Sequence, residues 1–308
     1  MLRRGHAPLV VLTSGFLFLL SDCAASANPS SEALAYVSIG KKLVRTGHTT
    51  QARDYFIKAI LTDPKCSAAY YERALDEQIH GQFDNALADF KMAVQTDQKN
   101  ARAAYEAGKM CVGRERDSEA LKYFDIACAV GNCNQSWFCE RGKCYRKIGN
   151  MKKAVEDFSS AIAIDRGDIV SYLLRADAYR MMHEYNKEVA DLTSVLGLEP
   201  ENDKAHVERA LAYRNLRQPD KAIAEYTQVL RADPESVGPY RLRASIYAEQ
   251  KQWDKAVADY SMAIKLDPYF SFDSYEARAK VYDQMGKPDL AAKDRQKAQS
   301  IKKERTGH

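Results

Sequence analysis

The feature that most constrains this chain is a period. From residue 33 onward the sequence repeats itself every 34 residues. The clearest copy, residues 237–270, reads VGPYRLRASIYAEQKQWDKAVADYSMAIKLDPYF. Its first half places Tyr240, Leu242, Ala244 and Tyr247 at helical spacing. Its second half puts Ala256, Val257, Tyr260, Ala263, Ile264 and Leu266 on one helical face. Between them EQKQ is a polar turn, and Asp267-Pro268 stops the second helix because proline has no amide donor and clashes with the preceding turn. The period is that of a helix-turn-helix solenoid, in which each repeat packs only on its neighbours.

Repeats begin at Ala33, Ser67, Ala101, Gln135, Ile169, Asp203, Val237 and Phe272, so seven copies keep phase and the eighth is displaced by one residue. Position 8 is always small: Gly40, Ala74, Gly108, Gly142, Ala176, Ala210, Ala244 and Ala279. The two helices of a repeat are expected to meet there, where a larger side chain would hold them apart. Position 20 is alanine everywhere except Glu188, and position 27 is alanine or valine. Position 24 carries Phe56, Phe90, Phe124, Phe158, Tyr226 and Tyr260, but Leu192 and Arg295 in repeats 5 and 8. Pro64, Pro200, Pro234 and Pro268 fall at position 32.

This pattern resembles the tetratricopeptide repeat (TPR) family over roughly residues 33 to 305. The resemblance implies an all-α solenoid, a right-handed superhelix of about eight repeats whose first helices line a concave groove. The repeats run 33–66, 67–100, 101–134, 135–168, 169–202, 203–236, 237–270 and 272–305, with 306–308 as a tail. Two further expectations follow from the pattern. Glu188 would be buried without a partner, so the second helix of repeat 5 should tilt to bring it to water. The last helix, polar at Arg295, Gln296, Gln299 and Lys302, should cap the stack, since a terminal repeat has no neighbour on its outer face.

Residues 1–27 read differently. MLRRGH is basic, APLVVLTSGFLFLL is an apolar stretch too short for a comfortable membrane span, and Ala25-Ser26-Ala27 fits a small-x-small cleavage site. This predicts an export signal, a mature start at Asn28 and a linker over 28–32. An uncleaved anchor is the alternative. The run LLSDC also resembles a bacterial lipoprotein box, departing from it at Asp22, and would make Cys23 a lipidation site. The expected location is therefore periplasmic or secreted, with lipid anchoring through Cys23 as the alternative.

Six cysteines follow the signal: Cys66, Cys111, Cys128, Cys133, Cys139 and Cys144. In an exported protein disulfides are plausible. Cys139 and Cys144, five apart on one helix, cannot reach each other. The placement of Cys128 and Cys139 is similar to that in Sel1-like repeat proteins, which staple a second helix to the following first helix, and the resemblance implies a Cys128–Cys139 bond. Cys111 with Cys144 is the second pairing, on parallel neighbouring first helices. Cys111 alternatively is a small buried hydrophobe. With no C-x-x-C pair and no nearby histidine, no metal site or cofactor is expected, and a redox or metal role for these cysteines ranks last.

The repeats leave no room for a catalytic domain, and the phosphate-binding glycine loops, H-E-x-x-H and G-x-S-x-G are all missing. A non-catalytic interaction scaffold is expected. A net charge of only +4 gives no reason to expect nucleic acid, and any membrane contact would come through the signal or lipid anchor. In the TPR family positions 2, 5, 9, 12 and 13 of each first helix face the groove. Here they place Lys109, Lys143, Arg146, Arg180 and Arg214 along repeats 3 to 6, with Tyr105 as an aromatic platform. The implied partner is a protein or peptide segment, acidic or carboxylate-ended; the alternative is that these are solvated helix faces. The lysine-asparagine pair of the chaperone-binding carboxylate clamp occurs in no repeat. A membrane-tethered envelope assembly factor is the competing function.

Overall fold

The computed structural model describes residues 29–130, 133–269 and 271–306. The export-signal reading and Cys23 lie outside the described residues. Among those described there are sixteen α-helices and no strand. They come in pairs that match the repeats: α1 (Ser31–Arg45) with α2 (Thr49–Thr62), α3 (Ser67–Ile79) with α4 (Phe83–Thr96), α5 (Ala101–Val112) with α6 (Asp117–Ala129), and α7 (Gln135–Lys147) with α8 (Met151–Ile164). The series continues with α9 (Ile169–Met181) and α10 (Tyr185–Leu198), α11 (Asp203–Asn215) and α12 (Pro219–Ala232), α13 (Val237–Glu249) and α14 (Trp253–Leu266), and α15 (Phe272–Gln284) and α16 (Pro288–Thr306). Each helix packs on the next, and the first helices of neighbouring repeats touch directly, α5 with α7 and α7 with α9 among them. This is the TPR solenoid.

The period explains each boundary. Position 15 takes a positive φ in every repeat, at Gly47, Gly81, Glu115, Gly149, His183, Arg217, Lys251 and Gly286, and reverses the chain between the two helices. Between repeats, Asp63, Asp97, Asp165 and Asp233 each accept a hydrogen bond from the backbone N–H two residues on, at 2.9–3.0 Å, which forms the turn. Asn100, Asn134 and Asn202 then cap the following helix.

The small residue at position 8 sits against the ring at position 24. A Cβ added at Gly40, Gly108 or Gly142 would lie 2.5–2.7 Å from Phe56, Phe124 or Phe158. These phenylalanines are fully buried, each stabilising its repeat by about 1.5–3 kcal/mol. Repeat 5 solves the same volume differently. Glu188 replaces alanine, Leu192 replaces the ring, and both are buried. The expectation that Glu188 reaches water fails: it is 2% exposed, because the shorter Leu192 leaves room for its side chain inside. The terminal helix behaves as a cap, with Ala291, Ala298 and Ile301 turned inward and Arg295 paired with Asp283.

The cysteine pairing differs from the expected one. Cys128 lies at disulfide distance from Cys133, with Cα atoms 4.6 Å apart, and not from Cys139. Cys139 is buried on α7 with its Sγ 2.9 Å from Ser171 Oγ on α9, so it faces repeat 5 rather than α6. Cys111 and Cys144 are buried free thiols, so the second expected pairing is absent as well. The Cys128–Cys133 pair brackets the end of repeat 3, where the sequence has Gly131 in place of the aspartate that most other repeats carry at position 31.

Candidate partner-binding groove

Sequence reading missed the side-chain array that holds the repeats in register. In five repeats an arginine at position 7 forks onto an aspartate at position 23: Arg73–Asp89, Arg141–Asp157, Arg175–Asp191, Arg243–Asp259 and Arg278–Asp294, with Nε and Nη2 bonds of 2.5–2.9 Å. Repeat 6 uses Arg209 and Glu225, at 2.8 Å. The remaining Nη1 reaches back to the preceding repeat, to Ser159, Thr193, Thr227 and Ser261 at 2.7–3.0 Å. The guanidinium also lies between two aromatic rings of its own helix, as Arg243 does between Tyr240 and Tyr247. The signal was present in the sequence as arginine and acid recurring sixteen residues apart in phase with the repeat. This array ties each first helix to its own second helix and to the one before it.

On that wall the expected cations are all present, and all are paired. Lys109 Nζ is 2.9 Å from Glu106 and 4.9 Å from the centre of the Tyr105 ring. Lys143 bonds Glu140 at 2.8 Å. Arg146 and Arg180 both bond Asp177, joining repeats 4 and 5, and Arg214 bonds Glu249 across repeats 6 and 7. Lys41 bonds Glu72 at 2.6 Å in the same manner. The candidate groove positions thus form a ladder of alternating charge and not the free positive surface that their lysines and arginines suggest. Tyr105 is no open platform either: its ring stacks on Trp137 with centroids 4.9 Å apart, and its hydroxyl is 3.2 Å from Ser136 Oγ.

Burial sets the electrostatics of the middle repeats. It pushes the Glu188 carboxyl up to about 7, and Glu208 and Asp177 act in the same direction against Arg180. Burial also raises Glu208. For Asp177 burial acts upward too, but hydrogen bonds from Arg180 and Arg146 outweigh it and hold the carboxyl below its ordinary value. Burial raises the thiols of Cys111 and Cys139, and pushes Cys144 up to about 12, so these sulfurs stay protonated. Among the described residues no cluster of histidine, cysteine or carboxylate side chains is arranged to hold a metal.

One open space at first-helix positions lies further along. Between repeats 7 and 8 lies an open cleft of about 510 Å³ lined by Gly238, Arg241, Leu242, Ser245, Tyr260, Asp273 and Ala277. Gly238, Arg241, Ser245 and Asp273 hold positions 2, 5 and 9 of the expected groove face, while Leu242 and Ala277 at position 6 and the ring of position 24 form its floor. The cleft exists because Gly238, Ser245 and Ala277 are small, and nothing lies within 4 Å of a Cβ built on Gly238. Arg241 and Asp273 face each other across it at 3.4 Å.

Tetratricopeptide repeat family models match residues 71–136, 190–269 and 138–168, together more than half of the chain. The chain is a tetratricopeptide repeat protein. Solved structures agree on the TPR fold. The C-terminal part of a TPR repeat-containing protein from Cytophaga hutchinsonii is 19% identical, with a TM-score of 0.61 over 77% of this chain and 98% of that one. YrrB, described as a TPR protein with an unusual peptide-binding site, is 21% identical with a TM-score of 0.53 over 58% of this chain and 92% of that one. MamA is 18% identical with a TM-score of 0.51, covering 55% and 92%. No curated protein matches the sequence closely enough to count as a relative. This TPR protein therefore carries the architecture of a protein-interaction scaffold.

Proposed function

We propose that this TPR protein is a non-catalytic exported scaffold that holds a segment of a partner protein in its concave groove. The observation that carries this reading is the cleft at repeats 7 and 8, where small residues at groove positions leave side-chain-sized room beside a charged pair and a tyrosine. YrrB's described peptide-binding site supports the ligand class and says nothing of the residues used here. An acidic or carboxylate-ended partner would bind by exchange, its carboxylates taking the places of Glu106, Glu140, Asp177 or Glu249 on the groove cations. Such exchange favours specificity and rate of encounter over raw affinity, and it weakens with salt. Export to a periplasmic or secreted location rests on the basic, apolar and small-residue order of residues 1–27.

Affinity capture with the mature protein tests the reading. Filling the cleft with Gly238→Trp, and separately Arg241→Glu, should abolish capture of the partner. Leu61→Ser, at a highly exposed site on α2, should not. A partner retained by both groove variants would place binding elsewhere. The second reading, a membrane-tethered assembly factor, rests on the LLSDC run; incorporation of labelled palmitate lost in Cys23→Ser would favour it.

A further inference from the structure

Position 24 is phenylalanine in repeats 1 to 4 and tyrosine, Tyr226 and Tyr260, in repeats 6 and 7. Phe56, Phe90, Phe124 and Phe158 are fully buried and already fill that site. Packing alone therefore gives no reason for the hydroxyl that tyrosine adds, and a buried phenol ordinarily finds a hydrogen-bond partner. The Tyr226 hydroxyl is sealed inside without one. Tyr260 is different. It is 6% exposed, yet it borders the cleft between repeats 7 and 8, and no group among the described residues bonds its hydroxyl. Burial raises its phenol, while Arg214 and Arg241 pull it down, which agrees with a hydroxyl on the side of the groove cations.

The other donors at the cleft are underused as well. Arg241 makes a single contact, from Nη2 to Asp273 at 3.4 Å, and both side chains are about half exposed. Its Nε and Nη1 are left open. Lys280, one turn beyond Ala277 on α15, is exposed and pairs with nothing described. Between these donors Leu242 and Ala277 give an apolar floor. The cleft thus offers an aliphatic surface ending in unspent N–H and O–H groups.

We propose that this cleft is a subsite for a glutamate side chain of the partner segment, with its methylenes on Leu242 and Ala277 and its carboxylate accepting from the Tyr260 hydroxyl and the open arms of Arg241. The proposal rests on the groove reading and narrows it to one residue type at one place. Arg241 keeps Asp273 on Nη2, so the bound carboxylate, the guanidinium and Asp273 alternate in sign, and Lys280 adds to the attraction. Both bonds to the carboxylate are charge-assisted, the strong class. Aspartate is one methylene short of the floor, and glutamine keeps the shape but loses the charge.

The test uses N-acetylglutamate N-methylamide as the probe, the same derivative of glutamine as its neutral isostere, and protein labelled with ¹³C at the oxygen-bearing carbon of tyrosine. Tyr260→Phe restores the residue of repeats 1 to 4, so it keeps the fold, and the resonance it removes is that of Tyr260. That resonance should move with the glutamate probe, stay still with the glutamine probe, and stay still with either in Arg241→Gln. A Tyr260 resonance that does not move, that moves equally with both probes, or that still moves in Arg241→Gln overturns the subsite. Partner capture separates this outcome from the groove reading. Tyr260→Phe should weaken capture about tenfold, the loss of one hydrogen bond to a charged group. Capture at native strength by Tyr260→Phe, with Gly238→Trp still losing the partner, removes the subsite and leaves the groove. Capture retained by Gly238→Trp removes the groove reading itself.

Discussion

Arg243 and Asp259, sixteen residues apart on facing helices, are joined by two parallel hydrogen bonds, Nε to Oδ2 at 2.7 Å and Nη2 to Oδ1 at 2.9 Å. Both side chains are largely buried, and the third arm of the guanidinium bonds Thr227 of the preceding repeat at 2.8 Å. One arginine thus ties its own second helix and the one before it. Arg243→Ala should lower stability by about 3 kcal/mol, because it leaves a buried carboxylate without its partner. Adding Asp259→Asn should recover part of that loss in chemical denaturation. Equal stability of the single variant and the native protein would mean that the fork contributes register only.

Glu188 makes stability depend on pH. Its carboxyl is raised from an ordinary 4.5 to about 7 by burial. A carboxyl raised on folding favours the folded state while protonated, so its contribution is whole below about pH 4.5 and is lost as pH climbs through about 7. Asp177 and Glu208 strengthen this trend, and Arg180 opposes it. Glu188→Gln should therefore match the native protein in acid and exceed it above neutrality, by up to about 3 kcal/mol. Urea melts at several pH values will measure the gap; a gap that does not widen across that window contradicts the assignment.

The turn at position 15 offers a backbone test. Lys251 has φ 59°, and Gly149 holds the same place with φ 84° and open space where a methyl group would go. Left-handed backbone costs a residue with a Cβ roughly 1–2 kcal/mol. Gly149→Ala should thus destabilise by about 1 kcal/mol through the backbone alone. Lys251→Gly should be neutral or stabilising, because relief of strain offsets the added freedom of the unfolded chain. Thermal melts of the two variants should move in different directions or by clearly different amounts.

Non-reducing peptide mapping should recover Cys128 linked to Cys133, with Cys111, Cys139 and Cys144 as thiols. The bond closes a short loop worth about 2 kcal/mol by chain-entropy reckoning. Cys133→Ser should lower stability by about that amount. A Cys128–Cys139 peptide would contradict the structure.

The sequence alone determined the architecture, because the repeat is encoded locally. Small residues at position 8, rings at position 24 and helix-stopping turns recur at a constant step, and each repeat packs only on its neighbours. Boundaries such as Val237–Glu249 and Trp253–Leu266 could be read off the text for that reason. What tertiary structure decided is everything that depends on which side chains meet across repeats. Arg146 and Arg214 read as free cations, since a linear pattern cannot show that Asp177 and Glu249 of the next repeat reach them; Glu106 and Asp177, three residues before Lys109 and Arg180 on the same helices, were legible in the sequence and were passed over. Cys128 lies against Cys133, while Cys139 meets Ser171 of the following first helix, a contact between repeats that spacing alone does not reveal. Glu188 stayed inside because Leu192 vacated the space of a ring. A constant period specifies where helices lie, but pairing and burial depend on distances between repeats, which emerge only when the helices stack.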